Sequence, residues 1–212
     1  MYEFELRISK KHRRAAKMLA ERVAEDYHPK YVIAISGENR TGKSAVAHSL
    51  GVKLKKKGLS SKIIHLASYY FQPPARRDEI RKKNGIESVG LSEIDWKLLE
   101  QNINDFKKGV ESTLPLRDAI NNHIDKLVTN FNGIDVLIVD GLYAISTEHA
   151  DLRVFIENTY KEVISEEPLP AEETPDAWKR QIYNREHAIV RSLKSRANYF
   201  VDFNLSTEAF RL

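Results

Sequence analysis

The sequence predicts an α/β domain built on a mainly parallel five-stranded sheet. Three observations lead there. Short apolar runs recur at Tyr31–Ile35, Lys62–Ser68, Asp135–Asp140, Arg153–Ile156 and Tyr199–Leu205. Segments with helical periodicity lie between them. The first run is apolar on both faces, as a parallel strand covered by helices on each side must be. Strands alternating with helices in this way form βαβ units.

Each element has local reasons. From Ser9 to Tyr27, Ala15, Met18, Leu19, Arg22 and Val23 recur at helical spacing, with Ser9 as N-cap and Pro29 as the stop. Tyr31–Ile35 is a strand running into Ser36-Gly37, and a helix follows from Lys43 to Lys57, stopped by Gly58. After the second strand, Tyr69–Pro74 reads as a loop with two prolines and Arg76–Lys83 as a short helix ending at Asn84-Gly85. Ser92–Lys108 is a stronger helix, with Ile94, Leu98, Leu99, Ile103 and Phe106 on one face and Gly109 after it. The stretch 113–132 fits helix and strand equally. An acidic loop, 165–176, holds Pro168, Pro170 and Pro175 and is a candidate lid. A helix over 176–197 leads into the last strand.

Composition narrows the classes. The chain has 212 residues, a length suited to one domain, with room for a small lid. Its 42% apolar and 30% charged residues are globular proportions, which exclude a disordered or fibrous chain. Cys is absent, which excludes disulfides, thiolate metal sites and a thiol nucleophile. No apolar run is long enough to cross a membrane, and the start has no secretory leader pattern. A cytoplasmic protein with no membrane partner is expected. Lys and Arg exceed Asp and Glu by 34 to 30, a small excess that suits an anionic small ligand. The basic face of the first helix (Lys10, Lys11, Arg13, Arg14, Lys17) reads as solvated, so no nucleic-acid partner is expected.

The motif with chemistry in it is Gly37-Glu38-Asn39-Arg40-Thr41-Gly42-Lys43-Ser44, a G-x-x-x-x-G-K-S phosphate loop. Gly37 lets the chain turn off the strand, and Gly42 clears space for backbone to approach phosphate. Successive N–H groups make an anion nest, and the helix beginning at Lys43 adds its positive dipole end. Lys43 is placed to reach the β- and γ-phosphates, and the Ser44 hydroxyl to ligate Mg²⁺, a cation that prefers oxygen. Ala45 continues the site into the helix. Asp140, closing Val136-Leu137-Ile138-Val139, is the matching carboxylate for the Mg²⁺ shell or a substrate hydroxyl.

Beyond the loop, the sequence resembles the uridine kinase and phosphoribulokinase group of small-molecule kinases. The resemblance covers roughly residues 31–205. It rests on Ile35–Ser44, Leu66-Ala67-Ser68-Tyr69-Tyr70, Ile94-Asp95-Trp96-Lys97-Leu98-Leu99, Leu114-Pro115-Leu116-Arg117-Asp118, and Val139-Asp140-Gly141-Leu142-Tyr143 followed by Asp151–Ile156, in that order. It implies a three-layer P-loop nucleoside triphosphate hydrolase fold over residues 1–212, with an N-terminal helix in 1–28 and a lid and following helix in 159–197. It also implies ATP and Mg²⁺ as cofactors, Lys43 and Asp140 as catalytic residues, and transfer of a phosphoryl group to an alcohol such as a nucleoside's. Family acceptor-site positions fall near Tyr70, Asp95, Arg117, Asp118 and His123, and Arg180, Arg185 and Arg191 could stand in for lid arginines missing from their usual place.

Besides the missing lid arginines, the chain departs from that pattern at two points. Where the group carries an Asp after the second strand, this chain has Ala67, which can neither take a proton nor hold a metal. The usual Glu before the glycine is Asp140, one methylene shorter. Two readings follow: an active small-molecule kinase, or a nucleotide-binding regulatory protein of the same fold with weak or no turnover. A homo-oligomer fits either, since the first helix could pack on a partner or on its own domain.

Overall fold

The structure is a computed structural model that describes residues 6–118, 123–166 and 175–203. In chain order the elements are α1 (Lys10–Asp26), β1 (Tyr31–Ser36), α2 (Lys43–Lys56), β2 (Ser61–His65), α3 (Pro74–Asn84), α4 (Trp96–Lys108), β3 (Glu111–Asp118), β4 (His123–Asn130), β5 (Val136–Asp140), β6 (Leu152–Ile156), α5 (Tyr160–Glu166), α6 (Ala177–Ser192) and β7 (Tyr199–Val201).

Five strands form one sheet in the order β2-β5-β1-β6-β7, every pair parallel. β1 lies at its centre, and all six of its residues are buried. Alternation along it feeds two cores. Ile33 and Ile35 join Val136 and Ile138 against Leu19 and Val23 of α1 and Val46 and Leu50 of α2. Val32 and Ala34 join Leu137 and Val139 against Leu99, Ile103 and Phe106 of α4 and Val190 of α6. The result is helices on both faces of a parallel sheet, the three-layer α/β arrangement of P-loop proteins. Phe106 has no exposed surface, so Phe106→Ala would cost about 3–5 kcal/mol.

The helix α1 buries His12, Ala15, Ala16, Leu19, Ala20 and Val23, spaced three and four apart, against its own domain. Its basic residues Lys10, Lys11, Arg13, Arg14 and Lys17 are exposed. No helix among the described residues is long and apolar enough to cross a membrane.

The structure differs from the sequence expectations in four places. The second strand ends at His65, where its pairing with β5 runs out at Asp140, and Leu66–Tyr69 continues as a 3-10 turn. The helix expected from Ser92 begins at Trp96, because the Asp95 side chain caps it by accepting from the Leu98 N–H at 2.9 Å. The undecided stretch 113–132 falls mainly in an antiparallel hairpin, β3 with β4, separate from the main sheet. The helix expected over 176–197 ends at Ser192 and gives way to a 3-10 turn, Lys194–Arg196. Most of the acidic loop, residues 167–174, and Asn204 and Leu205 of the last strand lie outside the described residues.

Candidate functional site

The phosphate loop leaves the C-terminal end of β1 and closes at the N-terminus of α2, the place where open α/β sheets bind ligands. A Cβ at Gly37 would come within 3.0 Å of the Ile156 side chain. Gly42 has φ of 84°, in the left-handed region, and a Cβ there would run into the imidazole of His12. Arg40 is also left-handed, at φ 65°.

The loop curls around one carbonyl. Glu38 O accepts from Thr41 Oγ1 at 2.9 Å and from Lys43 Nζ at 2.5 Å. Val46 N–H already bonds Gly42 O at 2.9 Å, so the amides of Lys43, Ser44 and Ala45 are the ones α2 offers to an anion. Part of the Lys43 side chain reaches the surface, but its ammonium lies inside the loop. Loss of water lowers its pKa to about 8, against the opposing pull of Asp140, Glu186 and Glu38.

Asp140 closes β5 and is buried. In register it lies between Ile35 of β1 and His65 of β2. Its Oδ1 accepts from His65 Nδ1 at 2.6 Å, and its Oδ2 is buried without a hydrogen-bond partner. That bond raises the His65 pKa, with burial opposing it. The orphaned Asp140 oxygen and the Ser44 hydroxyl are both oxygen donors, the chemistry that Mg²⁺ prefers.

The side chains of the loop's second and third residues turn to later elements. Glu38 is buried; its carboxylate accepts from His187 Nδ1 of α6 at 2.8 Å and from the Tyr160 N–H, the first of α5, at 3.1 Å. Asn39 Nδ2 donates to Glu186 of α6 at 2.6 Å. Glu186 also meets Arg81 of α3 at 3.3 Å, and Arg81 forks onto both oxygens of Glu93 at 2.6 and 2.7 Å. Burial raises the Glu186 pKa, with Arg81 and Asn39 opposing.

The expected acceptor residues are placed as follows. Tyr70 is buried, with the Arg77 guanidinium 3.5 Å from its ring centre. Asp95 is engaged as the α4 cap. Arg117 is exposed on β3, and its N–H donates to Ser68 Oγ at 3.1 Å. Asp118 and His123 are paired at the end of the β3–β4 ladder opposite Glu111 and Asn130, and with Asp125 their ligand atoms lie within 4.8 Å of one another. Arg185 points at Glu87, 2.9 Å away. Ala67 sits half-buried in the 3-10 turn that carries Ser68.

Seven participants were not anticipated from sequence: His12, His65, Arg77, Arg81, Glu93, Glu186 and His187. The spacing of Arg77 and Arg81, four apart on one helix, was a usable signal, since such residues share a face.

A family model described as Phosphoribulokinase / Uridine kinase family matches residues 32–163. The chain belongs to that family. Among its relatives, a protein named uridine kinase from Ureaplasma parvum is 25% identical over 188 residues, covering 82% of this chain and 88% of the relative. Another named uridine kinase, from Mycoplasma genitalium, is 33% identical over 135 residues, covering 62% of each chain. Among solved structures, one described as a possible uridine kinase from Bacillus stearothermophilus matches with a TM-score of 0.65 at 17% identity, covering 90% of this chain and 98% of that one. Membership in the family and these relatives support a small-molecule kinase of the nucleotide-using, P-loop type. The family match begins at residue 32, so α1, with His12 against Gly42, precedes it.

Proposed function

We propose that the protein transfers the γ-phosphoryl group of ATP to an alcohol on a small acceptor. The observation that carries this reading is the placement of a phosphate loop beside a buried carboxylate with one unused oxygen: Lys43 lies within the field of Asp140, and Asp140 Oδ2 has no partner.

The chain's own residues divide the work. The amides from Glu38 to Ala45 and the positive end of α2 cradle the phosphates. Lys43 exchanges its bond to Glu38 O for phosphate oxygens and neutralises charge there. Ser44 and Asp140 would hold magnesium, which would supply charge neutralisation at the phosphates when bound. Asp140 also stands where an acceptor hydroxyl would be oriented, with His65 fixing its other oxygen. The base that the group usually carries is replaced by Ala67. Phosphoryl transfer depends more on positioning and charge than on a base, so activity is retained in this reading. Within 159–197, α5 and α6 serve as the lid of a single domain, since Glu38 and Asn39 tie both to the loop.

The test is release of ADP from Mg·ATP with a panel of nucleosides, sugars, sugar phosphates and hydroxy acids, uridine first because the relatives carry that name. Acceptor-dependent ADP release that disappears in Lys43→Ala is the expected result. No release above background with any acceptor would sink the proposal. Ala67 favours a second reading, a nucleotide-binding regulator; its signature is tight Mg·ATP binding, lost in Lys43→Ala, without turnover.

A further inference from the structure

The acceptor side of the site carries more cation than its carboxylates consume. Three arginines converge there, Arg77 and Arg81 from α3 and Arg117 from β3, close enough that Arg77 feels the charge of both others. Arg81 is spent on Glu93 and Glu186. Arg77 is different. No carboxylate among the described residues forms an ion pair with it; its side-chain bond is from Nη2 to the Gln72 carbonyl at 3.1 Å, and its Nε is buried without a partner. The nearby carboxylate, Glu93, is already forked by Arg81. Burial, reinforced by the other two arginines, disfavours the Arg77 charge.

The position of this group is defined. Tyr70, beneath Arg77, follows the 3-10 turn that leaves the C-terminal end of β2. Ser68 of that turn holds the backbone of Arg117. Arg81 connects through Glu186 to Asn39 of the phosphate loop. Arg77, stacked on Tyr70 and without a carboxylate partner, therefore lies at the same rim of the sheet as the loop, over the core on the side away from α1. A half-buried cation without a partner is costly unless something anionic completes it. A guanidinium fork is also the group best shaped to take two oxygens of one anion.

We propose that the acceptor alcohol is borne by an anionic molecule, whose phosphate or carboxylate is held by Arg77 with Arg117 beside it. This rests on the kinase reading above and narrows it: a neutral nucleoside or sugar lacks the group that Arg77 is placed to take. The anion binds remote from the reacting hydroxyl, and Tyr70 keeps the Arg77 guanidinium flat and oriented.

The experiment uses matched pairs of alcohols, each neutral compound beside its phosphorylated or carboxylated counterpart: ribose and ribose 5-phosphate, uridine and uridine 5′-monophosphate, glycerol with glycerol 3-phosphate and glycerate. Two readouts are taken on the full-length protein: acceptor-dependent ADP release, and acceptor binding by calorimetry with a non-hydrolysable ATP analogue and Mg²⁺ present. The expected result is that an anionic member is preferred about 10- to 100-fold in kcat/KM or in Kd, the factor that a charge-assisted hydrogen-bonded pair supplies. Arg77→Gln should lose that factor through KM or Kd, so that the anionic and neutral members of a pair become alike. Arg117→Gln, a change at an exposed side chain, should lose a smaller part of it. The thermal midpoint of each variant shows that it is folded, and if Arg77→Gln fails that check the Arg117 variant and Arg77→Lys decide. The phosphate and carboxylate arms say which anion is meant. Preference for a neutral member, or an anion effect that survives both substitutions, overturns the proposal. Arg77-dependent anion binding without any ADP release supports the anion site and sinks the kinase reading, so the two fail separately.

Discussion

His65 and Asp140 are bonded side by side at the C-terminal rim of the sheet, Nδ1 to Oδ1 at 2.6 Å, on neighbouring parallel strands in register. His65 is half exposed while Asp140 is buried. The imidazole fixes one carboxylate oxygen and leaves Oδ2 for the site. Removing it should loosen Asp140 without touching the phosphate loop. His65→Ala is expected to lower kcat about tenfold and raise the Mg²⁺ concentration needed for half-maximal rate, with Kd for ATP little changed. His65→Asn, whose amide can still donate, should recover much of the loss. An equal fall in both variants would mean that the bond is only structural.

The same pair gives a spectroscopic prediction. Its hydrogen bond raises the His65 pKa, so Asp140→Asn should move the His65 titration downward in ligand-free protein, as followed by the ring proton resonances. The sign for stability follows from linkage. A histidine whose folded pKa lies above its unfolded value of about 6.5 stabilises the fold fully below that value, and the contribution is lost as pH rises through the folded pKa. The Asp140→Asn variant should therefore lose stability relative to the parent mainly on the acid side. An unmoved His65 resonance would break the assignment.

Lys43 behaves oppositely. Its folded pKa, lowered to about 8 by burial, lies below the unfolded value near 10.4. Below pH 8 both states carry the charge, and the folded state bears the cost of enclosing it. Between the two values the unfolded chain binds more protons, so this group's contribution to stability rises with pH. Lys43→Met should accordingly be more stable than the parent at pH 7 in the absence of nucleotide, with the gap closing towards pH 10. Urea midpoints at the two pH values test it, and a gap that widens would be the wrong sign.

Ala67 marks where a base could be restored. It lies two residues past His65 and one before Ser68, half-buried on a turn, so a carboxylate there need not displace core atoms. General bases supply about 10²–10⁴-fold in favourable cases, less where positioning dominates. Ala67→Asp is expected to raise kcat tenfold or more with the preferred acceptor and leave Kd for ATP unchanged. A fall in kcat would show that the site has been rebuilt around another group.

What sequence could reveal here depended on distance along the chain. The phosphate loop was legible because its glycines, lysine and serine sit within eight residues, between a strand and a helix whose periods are plain. Asp140 was legible as the end of an apolar run. The His65 and Asp140 bond joins residues 75 apart, and that between Asn39 and Glu186 joins residues 147 apart. Both depend on strand order and helix docking, which local pattern does not encode. The hairpin resisted for another reason. Burial alternates only over Glu111–Leu114 of β3, while Leu116 on β3 and Leu127 and Val128 on β4 are exposed, so little of the hairpin shows the one-sided burial that makes a period of two visible. Asp95 could not be resolved by sequence because one carboxylate suits a helix cap and an acceptor contact equally well; the structure shows the cap, with Oδ1 accepting from the Leu98 N–H.

Arg81 gives the sharpest stability test, because it is the shared partner of two carboxylates. It forks onto Glu93, touches Glu186, and is itself buried, as Glu186 is. Through Glu186 the cluster reaches Asn39, so it joins α3, α6 and the phosphate loop. Breaking such a group on one side is worse than never having built it, since the carboxylates stay behind without compensation. Arg81→Met should cost about 3–5 kcal/mol in urea unfolding. Glu186→Gln in that background removes one of the stranded charges while keeping an acceptor for Asn39, and should recover part of the loss. The double variant tells the charge effect from simple loss of packing: if Arg81→Met fails through lost volume, the added Glu186→Gln changes nothing. Because Arg81 also positions the α3 face that carries Arg77, the single variant should raise KM for the acceptor more than for ATP. An equal rise in both would place the cluster's influence on the loop itself.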